Sequence, residues 1–198
     1  MTARLAGIGV PDAPAAWEAI GCTVVDGAIP FANGALLLGC DGIFVAETND
    51  PVPSSRELRT GSHAIVPAVA HSSGAFELDH VVLLTNSLER TSQAVHDTFG
   101  LERRRLREAG AVRQAFHRFA DPPGGGGRGC IVEVVESDRV AETTMMGVVI
   151  NVADLFELAD RLGPGVMSLP KPAVQPGRHI STVRRDVGLG TAVALMTP

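Results

Sequence analysis

The chain has 198 residues, 45% hydrophobic and 20% charged, which is enough for a real apolar core in one generous domain or two small ones. A net charge of −5 argues against a general nucleic-acid partner, which needs a clustered positive surface. No apolar run reaches the roughly 18 residues that cross a bilayer, so no membrane partner is expected; with no leader read ahead of the first strand, the expected location is the cytoplasm.

In chain order, residues 5–10 form an apolar strand. Asp12 is placed to cap the short helix 15–20, with Pro14 tolerated in its first turn and Gly21 as a left-handed stop. Residues 22–25, 28–31, 35–38 and 43–46 then read as short strands punctuated by Gly27, Asn33-Gly34 and Asp41-Gly42. These elements make a degenerate unit over residues 1–50. Residues 51–76, rich in Pro, Ser and Gly, form a connection with one expected strand at 64–69.

A second unit covers 77–137. Its strand 78–84 leads to Asn86 and Glu89, at capping-box spacing, with Ser87 as the alternative cap. The helix runs through Val95 and Phe99 to Gly100, and strands follow at 101–107, 112–119 and 130–135. Four consecutive glycines, 124–127, form a plain loop, because no Lys-Ser or Lys-Thr follows them. A third unit, 145–198, repeats the order: strand 146–152, a helix capped by Asp154 with Glu157, Gly163 as its stop, then strands 178–184 and 191–196.

One strand, one helix and three further strands give a βαβββ module. The fold class is therefore α+β, with repeated βαβββ modules curving a mixed sheet around a cleft. The module at 145–198 is expected to pair with that at 77–137. Three modules leave one spare, expected to pair with a second chain as a homodimer or to cover an open edge. Cys22, Cys40 and Cys130 are widely spaced with no CxxC pair and read as reduced thiols.

The opening Leu78-Asp79-His80-Val81-Val82, the strand Arg113-Gln114-Ala115-Phe116 and the closing Ile131-Val132-Glu133-Val134-Val135 resemble the vicinal oxygen chelate superfamily. This superfamily includes glyoxalase I, bleomycin and fosfomycin resistance proteins and extradiol dioxygenases. Val174-Gln175-Pro176-Gly177-Arg178 with Thr182-Val183-Arg184-Arg185 is similar to an actinobacterial glyoxalase-like branch. The resemblance implies a small-molecule cleft and a divalent metal (Fe, Mn or Zn) at its base. One module would supply a His on its first strand and a Glu or Gln on its last; the other module would supply a matching pair.

His80 and Glu133 match the first pair. The corresponding positions of the third unit fall at about Gly147 and Ala194, so the set is incomplete; His117 or His179 is the candidate third ligand, and His71 lies in the connection. Glu133 is also the candidate general base. The alternative for His80 is a polar group paired with Glu133 or a backbone group inside the sheet. Arg113, Gln114, Gln175, Arg178 and Arg184 are candidate ligand contacts, since arginine forks bind carboxylates at two points; the alternative is that they line the outer face or bridge modules. The resemblance implies either metal-assisted lyase, isomerase or dioxygenase chemistry, or a metal-free binding protein with a degenerate metal site.

Overall fold

A computed structural model describes residues 3–47, 51–110 and 112–198. Two mixed sheets share one apolar core. The smaller sheet comprises β1 (Leu5–Val10), β2 (Ala28–Phe31), β3 (Gly34–Leu38), β4 (Gly42–Ala46) and β5 (Thr60–His63), in the order β2-β3-β1-β4-β5. All six residues of β1 are buried, as expected of a central strand covered on both faces.

Residues 22–25, expected as a strand, contribute only the bridge Val25–Ala28. That bridge closes on Asp26 (φ 48°) and Gly27 (φ 77°), the two left-handed residues of a tight hairpin turn. The strand expected at 64–69 is also absent; its place is taken earlier by β5, whose Thr-Gly-Ser-His sequence carries no β signal and pairs in parallel with β4.

Helix α1 (Pro14–Glu18) is not capped by Asp12. Pro14 opens the helix, and the Asp12 carboxylate instead accepts from the backbone N–H groups of Gly190 and Thr191, tying the two ends of the chain together.

The larger sheet has eight strands in the order β11-β12-β13-β10-β6-β9-β8-β7. They are β6 (Ala75–Thr85), β7 (Arg103–Ala109), β8 (Val112–Arg118), β9 (Ile131–Glu136), β10 (Thr144–Val152), β11 (Lys171–Pro172), β12 (His179–Thr182) and β13 (Ala192–Met196), with α2 (Leu88–Phe99) and α3 (Leu155–Leu162) between them. β6 and β9 are parallel, β10 and β13 are parallel, and β6 and β10 join antiparallel at the centre. The second and third units thus meet through their first strands.

The smaller sheet repeats the pairing of the larger sheet's inner strands. β2-β3-β1-β4-β5 has the same succession of antiparallel, parallel, antiparallel and parallel pairs as β8-β9-β6-β10-β13. β4 lies beside β1 as β10 lies beside β6. The first unit therefore finds flanking strands within its own chain.

Strand alternation assigns the faces of the larger sheet. Thr85 is hydrogen-bonded to Thr91 on α2, so Val81, Leu83 and Thr85 look toward the helices. Leu83 also lines a recess together with Ile43 of the smaller sheet and Arg59, which precedes β5. Val81, Leu83, Val148 and Ile150 join Leu5, Ile8, Trp17, Leu36, Val95 and Phe99 in one buried cluster. The smaller sheet thus covers the helix side of the larger one, and the opposite, concave side remains open.

α2 presents Leu88, Thr91, Ser92, Val95 and Phe99 inward at helical spacing. Gly100 (φ 67°) closes it in the left-handed conformation only glycine adopts freely. No side chain of the cap residue Ser87 or of Asn86 takes the expected capping role. The Glu136 carboxylate on β9 accepts from Leu88 N–H instead, at 2.9 Å. In α3 the expected cap is present, with Asp154 accepting from Phe156 and Glu157 N–H.

Candidate functional site

The concave side of the larger sheet carries a chain of polar groups that crosses both units. On β7, Arg107 donates to Gln114 Oε1 at 3.2 Å, and Gln114 Nε2 donates to Glu133 Oε1 at 2.5 Å. Glu133 Oε2 lies 3.6 Å from His80 Nε2, and His80 Nδ1 is 2.7 Å from Asp79 Oδ2. Asp79 Oδ1 then meets Arg178 Nη1 at 2.9 Å and Asn151 Nδ2 at 3.3 Å. Asn151 Nδ2 continues to Glu77 Oε1 at 2.9 Å, and Glu77 Oε2 accepts from Arg128 N–H at 2.7 Å.

A β-bulge builds this arrangement. His80 lies opposite Val149, while Leu78 lies opposite Ile150, so Asp79 is an extra residue in β6. The bulge turns Leu78 into the core with Ile150 and lets adjacent Asp79 and His80 act on one another. Strict alternation from the sequence puts Leu78 on the face of His80; the inserted residue reverses that. Val82 pairs with Glu133, which places Glu133 on the same face as His80.

The side chains of Asp79, His80, Glu133 and Arg178 are 9%, 15%, 13% and 14% exposed. Burial alone would raise the Asp79 pKa. The His80 hydrogen bond and the Arg178 guanidinium outweigh it and hold the carboxyl below its usual range. With Nδ1–H directed to Asp79, the imidazole is held with Nε2 toward Glu133 and the open side.

Beside this chain is a recess of about 430 Å³ bounded by Glu77, Asp79, Arg118, Arg128, Gln175 and Arg178. It adjoins a second recess of about 550 Å³ that shares Arg118 and Ile131 and adds Arg104 and Phe116. The Arg105 guanidinium lies over the Phe116 ring, 5.9 Å from its centroid.

Of the residues singled out from sequence, His80, Glu133, Gln114, Gln175 and Arg178 meet on this side. Arg113 does not: it alternates with Gln114 on β8 and points to the helix side, where Glu89, Glu108 and Glu136 hold it. Arg184 donates to the Pro164 carbonyl, away from the polar chain.

His117 also faces the helices, its ring between Ser92 Oγ (2.7 Å) and the Leu101 carbonyl (2.9 Å). His179 packs edge-on against Phe156. His71 links the connection to the smaller sheet through Thr23 N–H and the Pro30 carbonyl. Glu77, Asp79, Asn151, Arg118 and Arg128 are site residues that sequence reading missed. The bulge hid the orientation of Asp79, and the two arginines flank a loop whose course only the fold fixes.

The donor set does not fit a resident metal. Among the described residues no group of three or more His, Cys, Asp or Glu gathers at one point. His80 and Glu133 face each other, but the approximate twofold between β6 and β10 carries His80 onto Gly147: His80 lies opposite Val149 just as Gly147 lies opposite Val82. The partner of Val149 on β13, equivalent to Glu133 beside Val82, is Ala194. Neither has a donor atom. Any Cβ at Gly147 would sit 2.1 Å from the Ala192 carbonyl oxygen, so the backbone itself forbids a ligand side chain there.

No family model matches the sequence, and no curated protein matches it. Solved structures do. Methylmalonyl-CoA epimerase from Mycobacterium tuberculosis superposes with a TM-score of 0.51 at 16% identity, covering 66% of this chain and 93% of that one. A variant of the Streptomyces coelicolor methylmalonyl-CoA epimerase in complex with 2-nitronate-propionyl-CoA gives 0.49 at 19% identity over 61% of this chain and 93% of that one. A hypothetical protein from Bacillus halodurans gives 0.49 at 15% identity over 62% and 94%. The epimerases are of the vicinal oxygen chelate superfamily, and this chain has its glyoxalase-like fold. About a third of the chain lies beyond the superposition.

Proposed function

We propose that the concave side of the larger sheet binds a small anionic molecule bearing a carboxylate or phosphate group. The observation that carries this reading is the gathering of Arg104, Arg105, Arg107, Arg118 and Arg128 along that one side of a chain whose net charge is −5. Arginines on the walls of a concavity focus field on a small anion and offer it two-point hydrogen bonds. Gln175 adds a donor and an acceptor at the rim. Three cysteines without a disulfide support a reducing compartment, in keeping with a cytoplasmic location.

A specific observation also favours catalysis. Asp79 orients His80, and Nε2 then confronts Glu133 within the concavity. A ligand with a carbonyl group next to an acidic C–H, seated beside this pair, would meet a base (Glu133 or His80) and a nearby proton carrier, the requirements of an isomerase-type proton transfer.

The experiment is a thermal-shift and calorimetric screen of small carboxylates and phosphate esters on the whole chain, repeated with Arg128→Ala and Arg118→Ala. The expected result is an anion that raises Tm and whose affinity drops about tenfold in each variant, the loss of one charge-assisted contact. A hit whose affinity ignores both substitutions, or no hit at all, overturns the reading.

A further inference from the structure

We infer that the Arg178 guanidinium does in this chain the linking and positioning work that a divalent metal would do between the two units in the fold family. Three observations converge on it. The third unit has lost both equivalent ligand positions, to Gly147 and Ala194, and the first cannot regain a side chain without displacing the Ala192 carbonyl. The same unit sends Arg178 across to the second unit instead. Its Nη1 crosses to Asp79 at 2.9 Å, while its Nη2 donates to Asn151 Oδ1 at 2.6 Å and its Nε to the Thr197 carbonyl at 2.7 Å, both within its own unit.

A planar fork makes three charge-assisted or carbonyl bonds in fixed directions, of which a lysine would keep the charge beside Asp79 but not the full set. Arg178 also stands behind the reactive pair. It holds Asp79, and Asp79 holds His80 Nδ1, so the orientation of His80 Nε2 toward Glu133 rests on the guanidinium without touching it. Arg178 is thus a positioning residue and a charge link between units, two tasks that a metal bridging both units would perform.

This inference is independent of the ligand reading, because its tests use no anion. Whole protein produced in medium supplemented with Fe, Mn and Zn is analysed for metal content and titrated with Co²⁺, whose absorption reports coordination. Arg178→Met, Arg178→Lys, Asp79→Asn and the Asp79→Asn/Arg178→Met double variant are then melted, and the His80 ring nitrogens are observed by ¹⁵N NMR.

The expected outcome is substoichiometric metal and no Co²⁺ spectrum for the unsubstituted chain. Arg178→Met lowers Tm by about 10 °C, since it leaves a buried carboxylate without its cation. Arg178→Lys recovers part of that loss. The double variant melts above Arg178→Met, because the unpaired charge is then gone. The Nδ1–H form of His80 gives way to a mixture in Arg178→Met but not in Arg178→Lys.

Stoichiometric metal that is lost in His80→Ala would overturn the inference. So would strictly additive effects of the two single substitutions. If Arg178→Met does not fold, the comparison of Asp79→Asn with the double variant decides. Should adding Arg178→Met to Asp79→Asn cost as much as Arg178→Lys costs in the native chain, the proposed coupling is removed.

Discussion

The Asn33 side chain clasps the backbone of Leu78 from both sides: Oδ1 accepts from Leu78 N–H at 2.9 Å and Nδ2 donates to the Leu78 carbonyl at 2.8 Å. β9 begins only at Ile131, opposite His80, so Leu78 has no strand partner on that side of β6. A turn residue of the smaller sheet supplies the missing ladder. The same Nδ2 reaches the Arg128 carbonyl at 2.7 Å, which also fixes the glycine-rich loop. Asn33→Ala leaves these buried backbone groups unpaired and is expected to cost about 2–4 kcal/mol in urea unfolding. Asn33→Asp is expected to do nearly as much harm, because a carboxylate keeps the acceptor and loses both donations. A cost within experimental error for both variants would show that the clasp carries no weight.

Gly147→Ala tests the contact that removes a metal position. Its Cβ would stand 2.1 Å from Ala192 O, so the β10–β13 pair must spread. The φ of Gly147 is not in the left-handed region, so the penalty is steric. A loss of about 3 kcal/mol is expected, read as a fall in Tm. A neutral substitution would mean that β13 yields freely, and the Gly147 position could then have carried a ligand.

Arg113 and Gln114 are adjacent in sequence and face opposite ways. Arg113→Ala is expected to leave anion affinity unchanged, since its partners Glu89, Glu108 and Glu136 lie on the helix side. Gln114→Ala frees one oxygen of Glu133 and is expected to change anion affinity or turnover at least severalfold. Calorimetry on the two variants with the same ligand reads the contrast; equal effects would contradict the assigned faces.

Two buried imidazoles make stability depend on pH. His71 Nδ1 accepts from Thr23 N–H, so its proton is on Nε2, toward the Pro30 carbonyl. His117 lies between Ser92 Oγ and the Leu101 carbonyl, with its proton on Nδ1. Burial lowers the pKa of each below the ordinary value, outweighing the carbonyl bonds that would raise it. A group whose folded pKa is depressed contributes stability above its unfolded pKa of about 6.5 and loses it as pH falls toward the folded value. Tm is therefore expected to fall from pH 7 to pH 5, and His71→Gln is expected to flatten part of that slope. A Tm that rises over this window would reverse the assignment.

The repeated strand–helix grammar was legible because each first strand is rich in apolar residues and is followed by a polar turn and a helix. His80 and Glu133 were placed in one cleft by the family resemblance, since the break in alternation beside His80 leaves strand parity unable to do it. The rest was hidden by tertiary effects. A bulge of one residue at Asp79 leaves no mark in the sequence, yet it decides which way Leu78 and Asp79 point. β5 has a polar sequence and exists only because β4 offers it a parallel edge. Of the two readings left open for Arg113, cleft contact or outer face, its three glutamate partners favour the second, and its parity relative to Gln114 agrees. The contact of Arg178 with Asp79 joins side chains of two different units, which no spacing encodes.

The outermost strand β7 reads Arg-Arg-Arg-Leu-Arg-Glu-Ala and is exposed along almost its whole length, while the opposite end of the same sheet is the two-residue β11, closed by Pro172. A strand arriving at the first border would meet a row of guanidinium groups, and at the second it would find too few free amides to grip. The sheet is therefore finite by construction: it resists templated growth into fibres from either end, and any lasting association of two copies through it has to be made by side chains rather than by shared backbone ladders.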